Sequence, residues 1–307
     1  MIDEVRLNFS PQSLQALNFI LGFIMFGVAL DMKLADFRRV LQVPKAFLIG
    51  VFCQFLVLPA LTYVLIVLFE PQGSIGLGML LVAACPGGNI SNFMVNLAKG
   101  NTALSVSMTA VSTLAAIVMT PLNIGFWGSL HPDTAAILTE VSLDPTQMFF
   151  TILVLLGLPM MVGLYLSERK PRLANKLKSG MKVFSIVFFG LFVVVAFAGN
   201  FDYFLTYVGG IALIVFLQNG LAILTGYTAA TVVGLPEYDR RAVSIEVGIQ
   251  NSGLGLILIF GFFDGLGGMA VIAGWWGIWH ILSGLSIGFF WSAQPPQGYL
   301  ERHEATD

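Results

Sequence analysis

Apolar residues along this chain run in long unbroken blocks separated by short polar turns, and they do not alternate with polar ones as in a half-buried strand. A helix crossing a bilayer needs about 20 mainly apolar residues, because the hydrocarbon core is ~30 Å thick and each residue rises ~1.5 Å. That ruler predicts nine spans, near 14–31, 46–69, 75–98, 102–127, 148–167, 183–199, 206–232, 242–263 and 268–293. Most are plain Leu/Ile/Val/Phe runs with a proline (Pro59, Pro121, Pro159) that a membrane helix tolerates. The expected class is an all-α polytopic membrane protein with nine transmembrane helices.

Two spans carry interruptions. In the third, Cys85-Pro86-Gly87-Gly88-Asn89-Ile90-Ser91-Asn92 combines a residue without an N–H donor, two soft glycines and polar side chains at membrane depth. The eighth has a counterpart in Glu246-Val247-Gly248-Ile249-Gln250-Asn251-Ser252-Gly253. Backbone that leaves the helical ladder inside a bilayer survives only where protein or a polar cavity surrounds it. The two breaks sit third in spans 1–4 and third in spans 6–9, and those blocks run in opposite directions. This is the pattern of inverted-topology repeats whose broken helices cross at a binding site. The chain therefore divides into 1–128 (first repeat), 129–147 (an extracytoplasmic loop), 148–294 (spans 5–9, with 6–9 matching 1–4) and 295–307 (a cytoplasmic tail).

Composition fits the span count. Of 307 residues, 57% are hydrophobic and only 10% charged, against about a quarter charged in soluble domains, and mean hydropathy is +0.86. With the N-terminus outside, every basic residue except Arg6 lies on the inner face. The outer loops carry Glu70, Asp133, Glu140, Asp144, Asp202 and Asp264 instead. An eight- or ten-span count would scatter the basic residues over both faces, so the positive-inside rule selects nine spans with the C-terminus cytoplasmic in a cell membrane. Met1-Ile2-Asp3-Glu4 lacks the basic start of a cleaved signal peptide, so the first span is expected to remain in the mature chain. No basic run matches a nucleic-acid footprint, and nothing points to an obligate protein partner. Cys53 and Cys85 lie in apolar stretches without metal-ligand spacing.

The breaks carry the candidate chemistry. A broken helix exposes carbonyls that attract cations and amides that attract anions. Around them stand the carboxylate of Glu246, the amides of Asn92, Gln250 and Asn251, and the hydroxyls of Ser91, Ser105 and Thr109. That all-oxygen set suits a hard cation. Glu246 is the one acid placed well inside a span, and no intramembrane Lys or Arg stands ready to pair with it, so its counter-charge must come from outside. Plainer readings stand beside this one. The amides can bond helix to helix, Ser105 and Thr109 can bond back to their own helix, Gln54 is divided between packing and cation ligation, and His280 between interior histidine and ligand. An intramembrane enzyme finds no nucleophile–base pair or metal-ligand set in the spans.

The two interrupted segments, with Gly100-Asn101 and Leu104-Ser105, resemble the bile acid:sodium symporter family, and the resemblance runs from Ile24-Met25-Phe26-Gly27 to Trp279-His280. It implies a core domain (spans 2–4 and 7–9), a panel domain (spans 1, 5 and 6) and two sodium sites. The first would fall on Ser91, Asn92, Ser105, Thr109 and Glu246. The second would use Glu246, Gln250, Gln54 and the carbonyls of Val247 and Ile249. Substrate would sit near Asn89, Asn251 and His280. Asn89 stands where several bacterial members carry threonine, and nine spans match the vertebrate members rather than the ten common in bacteria. The implied activity is sodium-coupled symport of an organic anion (a bile-acid-like compound, pantoate or a similar carboxylate, or a sulfonate) by alternating access. Two sodium ions, Glu246 and a monoanion sum to zero charge. The alternative within the wider fold group is a proton-coupled exchanger, or an arsenite efflux carrier using Cys85.

Overall fold

A computed structural model describes residues 2–4, 11–35, 44–198 and 201–296. Arg6, Arg38, Arg39 and Arg302, which enter the charge argument, and the tail beyond residue 296 lie outside the described residues. Within them the secondary structure is helical apart from one isolated antiparallel bridge, Gly87 to Gln250. The helices are α1 (Pro11–Ala29), α2 (Pro44–Phe69), α3 (Gly73–Ala84), α4 (Ile90–Leu97), α5 (Thr102–Leu130), α6 (Pro132–Glu140), α7 (Pro145–Arg169), α8 (Pro171–Ala198), α9 (Phe201–Val232), α10 (Glu237–Gly248), α11 (Ser252–Phe262) and α12 (Gly267–Ser292).

Among the described residues, five stretches are long and apolar enough to cross a membrane: Pro44–Phe69, Thr102–Leu130, Pro145–Arg169, Gly209–Val232 and Gly267–Ser292. The expected third and eighth spans are each split, into α3 and α4 and into α10 and α11, so neither half reaches spanning length. Large apolar side chains such as Phe19, Leu48, Leu68, Phe126 and Phe289 face outward, as they do when hydrocarbon is the solvent.

Two stretches differ from the sequence reading. The expected loop 129–147 contains α6, which Pro132 at its first position and Asp133 in its first turn favour. The helix of the sixth span begins at Pro171, well before the apolar run, because a hydropathy ruler finds the oily part of a helix and not its charged first turns.

α3 is sandwiched between α12 and α5, and α10 lies along α9. Small residues permit these approaches: a Cβ on Gly78 would stand 2.7 Å from the Met269 Cα, and one on Gly226 2.8 Å from the Ser244 Cα. α1 packs chiefly on α7 and α8, where a Cβ on Gly163 would lie 2.8 Å from the Phe26 carbonyl. At one end of that group Asp31 pairs with Lys178, and the Leu34 N–H donates to Glu168 at 2.7 Å.

α2 and α7 share a local irregularity. Leu58-Pro59 and Leu158-Pro159 each follow a π-helical turn, Cys53–Val57 and Leu153–Gly157, closed by bonds from Leu58 to Cys53 and from Leu158 to Leu153. Proline supplies no N–H and crowds the preceding turn, so the ladder widens ahead of it. In α2 the widened turn holds Gln54, which is buried.

Candidate functional site

α3 ends at Cys85 and α10 at Ile249, both extended, and the two segments meet as a minimal antiparallel pair. Gly88 N–H donates to the Ile249 carbonyl at 2.6 Å, and Asn251 N–H to the Pro86 carbonyl at 2.9 Å. Only glycine fits here: a Cβ on Gly88 would lie 2.9 Å from the Gln250 carbonyl, and one on Gly87 would overlap the Glu246 carboxylate.

Glu246, in the last turn of α10, is buried, and its carboxylate is ringed by hydroxyls from two other helices. Ser91 of α4 donates to Oε2 at 2.6 Å, Ser105 of α5 to Oε2 at 3.0 Å, and Thr109 of α5 to Oε1 at 2.6 Å. Asn92 Oδ1 lies 2.8 Å from Ser105 Oγ. Thr109 also bonds back to the Ser105 carbonyl at 3.1 Å, so the local reading of that residue holds alongside its contact with Glu246. Among the described residues Glu246 makes no ion pair. Hydrogen bonds to a charged group contribute roughly 1.5–3 kcal/mol each; they offset desolvation but leave the negative charge in place. Ser91, Asn92, Ser105, Thr109 and Glu246 thus form one cluster of oxygens drawn from three elements.

A second group adjoins it. Gln54 Nε2 donates to Gln250 Oε1 at 2.6 Å and to the Cys85 carbonyl at 2.8 Å, while Gln250 Nε2 donates to the Val247 carbonyl at 2.7 Å. Gln54 Oε1 is buried without a hydrogen-bond partner. The Val247 and Ile249 carbonyls therefore each accept one bond and keep a second lone pair.

Asn89 and Asn251 flank the crossing and are half-buried. Asn251 caps α11 by accepting from Leu254 N at 3.0 Å, whereas the Asn89 side chain makes no cap bond. His280 lies on the α12 face that meets the crossing: Gly277 is against Ser252, and Gly284 against Ile249 and Met94, on either side of it. His280 is buried, with Nδ1 unpartnered.

Polar groups that hydropathy does not mark close further carbonyls, two of them at the interruptions. Thr120 donates to the Ala84 carbonyl at 2.7 Å, and Asn219 to the Gly248 carbonyl at 2.8 Å. Gln218 donates to Thr62 and to the Met79 carbonyl, both at 3.0 Å. Arg241 is buried and reaches the carbonyls of Ala98 (2.9 Å), Trp291 (3.0 Å) and Gln294 (2.7 Å) as well as Glu237. The adjacent Gln218-Asn219 pair inside an apolar run was the available signal.

Comparison with known proteins shows the family to which the chain is similar. A family model described as the Sodium Bile acid symporter family matches residues 18–207. An uncharacterized sodium-dependent transporter of Bacillus subtilis (strain 168), YocS, is 33% identical over 276 residues, covering 90% of this chain and 83% of that protein. The ileal sodium/bile acid cotransporter of Homo sapiens is 29% identical over 242 residues, 78% of this chain and 67% of the human one. The probable sodium/metabolite cotransporter BASS1, chloroplastic, of Arabidopsis thaliana is 30% identical over 239 residues, 78% of this chain and 57% of the plant protein.

Proposed function

The chain belongs to the sodium bile acid symporter family, and from that premise we propose that it carries an organic anion across a membrane by symport with sodium. It is a multi-pass membrane transporter and not an enzyme. The observation that carries the sodium reading is the buried carboxylate of Glu246, surrounded by three hydroxyl donors at the crossing and lacking an ion-pair partner among the described residues.

In this reading one sodium ion is held by Ser91, Asn92, Ser105, Thr109 and Glu246, the hydroxyls presenting their lone pairs to the ion instead of their protons to Glu246. A second is held by Glu246, Gln250, Gln54 and the Val247 and Ile249 carbonyls, for which the unpartnered Gln54 Oε1 is a ready acceptor. The donor set is all oxygen, as a hard cation prefers. Sodium neutralises Glu246 and draws the two interrupted segments together. The anion, a carboxylate or sulfonate, then meets Asn89, Asn251 and His280 beside them. The chain crosses the bilayer nine times with its N-terminus outside and its repeats inverted about the crossing. Spans 2–4 and 7–9 move as a core against a panel of α1, α7 and α8 to open the site to either side. With two sodium ions per monoanion, one net charge enters per cycle, driven by about 2.3 kcal/mol per 100 mV of membrane potential.

Capture of arsenite by a thiol is the weaker reading, because Cys85 is buried in the main apolar cluster. Uptake into proteoliposomes with sodium replaced by choline tests the proposal. Concentrative uptake of an organic anion should disappear, and uptake unchanged in choline and responsive only to a pH gradient would favour proton coupling.

A further inference from the structure

Four cations stand where α7 meets α8 without a partner among the described residues. α7 ends at Arg169, Lys170 makes the turn, and Pro171 opens α8 at once, with Arg172 and Lys176 four apart on its first turns. Arg169, Lys170, Arg172 and Lys176 are all exposed, and among the described residues none of the four has an ion pair or a side-chain hydrogen bond. The nearby acids are engaged elsewhere, Glu168 with the Leu34 N–H and Asp31 with Lys178. Tyr165, Leu173 and Leu177 beside the cations are exposed too, so the strip pairs positive charge with apolar surface. An amphipathic tyrosine and basic residues at the end of a membrane helix lie at headgroup depth. Among the described residues the other two arginines are used internally: Arg241 is buried against carbonyls, and Arg240 bonds the Leu235 carbonyl.

We propose that Arg169, Lys170, Arg172 and Lys176 form a docking strip for the phosphodiester headgroups of anionic phospholipids, with Tyr165, Leu173 and Leu177 against the first acyl carbons. Phosphate is the complementary charge at that depth, and each cation near an anionic surface raises its partition about fivefold. The strip lies on the group formed by α1, α7 and α8. If the transport reading above holds, the lipid keeps this group fixed in the bilayer while the crossing helices move.

Native mass spectrometry of the purified full chain, exchanged into mixed phosphatidylglycerol and phosphatidylcholine, tests the strip directly. The wild type should retain phosphatidylglycerol over phosphatidylcholine by at least about tenfold, with the preference weakened in ~0.5 M salt. R169Q/K170Q/R172Q/K176Q should lose the preference, R172Q/K176Q should lose part of it, and the charge-conserving R169K/R172K should keep it. The double variant decides the matter if the quadruple one does not fold. Equal retention of both lipids by the wild type, or an undiminished preference in the neutralised variants, overturns the proposal. So does inorganic phosphate displacing the lipid at equal concentration, which would mark a site for free ions. Thermal stabilisation by sodium, measured on the same samples in phosphatidylcholine, reports on the transport reading. Its absence would count against that reading and leave the headgroup result standing.

Discussion

The side-chain amide of Gln54 bonds both interrupted segments at once, reaching Gln250 Oε1 at 2.6 Å and the Cys85 carbonyl at 2.8 Å. One residue of α2 therefore reports on the spacing of the two breaks. Gln54→Leu removes both bonds and the unpartnered Oε1. Half-saturating sodium for uptake should rise about tenfold, the equivalent of ~1.4 kcal/mol, and the steepness of the sodium dependence should fall toward that of a single ion. An unchanged sodium curve would assign Gln54 to packing alone.

Glu246→Gln keeps the shape and removes the charge. Burying a charge without an ion-pair partner is costly, so melting in sodium-free buffer should stay level or rise. The stabilisation that sodium confers on the wild type, about 2.7 kcal/mol at a hundredfold excess over Kd, should vanish. Calorimetry with and without sodium separates the two effects. A destabilised variant that still responds to sodium would contradict the assignment.

Gly88→Ala forces a methyl group within 2.9 Å of the Gln250 carbonyl. The segments must part, at roughly 1–3 kcal/mol, and sodium-dependent uptake should fall far more than expression. Normal uptake by this variant would mean that the close backbone approach is dispensable.

Arg241→Met leaves the carbonyls of Ala98, Trp291 and Gln294 without their donor. Each buried acceptor left without its donor costs roughly 1–3 kcal/mol, so the variant should lose several kcal/mol, with Arg241→Lys recovering part of it because an ammonium lacks the planar fork. Denaturant unfolding in detergent would show the order wild type, Lys, Met. Equal midpoints would show that the guanidinium is idle.

Much of this arrangement is readable from residue order because its causes are local. Pro86 disrupts the helix it enters and Gly87, Gly88 and Gly248 weaken one, so the breaks fall beside those residues. Once α3 and α10 end there, Ser91, Ser105 and Thr109 converge on Glu246. The closing contacts are another matter. Thr120 to Ala84, Asn219 to Gly248 and Arg241 to the ends of α4 and α12 depend on which helices become neighbours, and no local pattern encodes that. The π turn that holds Gln54 is half legible: Pro59 announces a disturbance but leaves its kind open. α6 and the charged start of α8 escaped because hydropathy follows apolar runs and ignores helical turns that carry polar and charged residues.

The pairing of Gly88 with Ile249 and of Asn251 with Pro86 is made entirely of main chain. The joint at the centre of the molecule thus needs no side-chain identity at position 89, whose amide caps nothing. A randomised codon there should yield mostly well-folded proteins, and if Asn89 meets the anion as proposed, they should differ in what they accept.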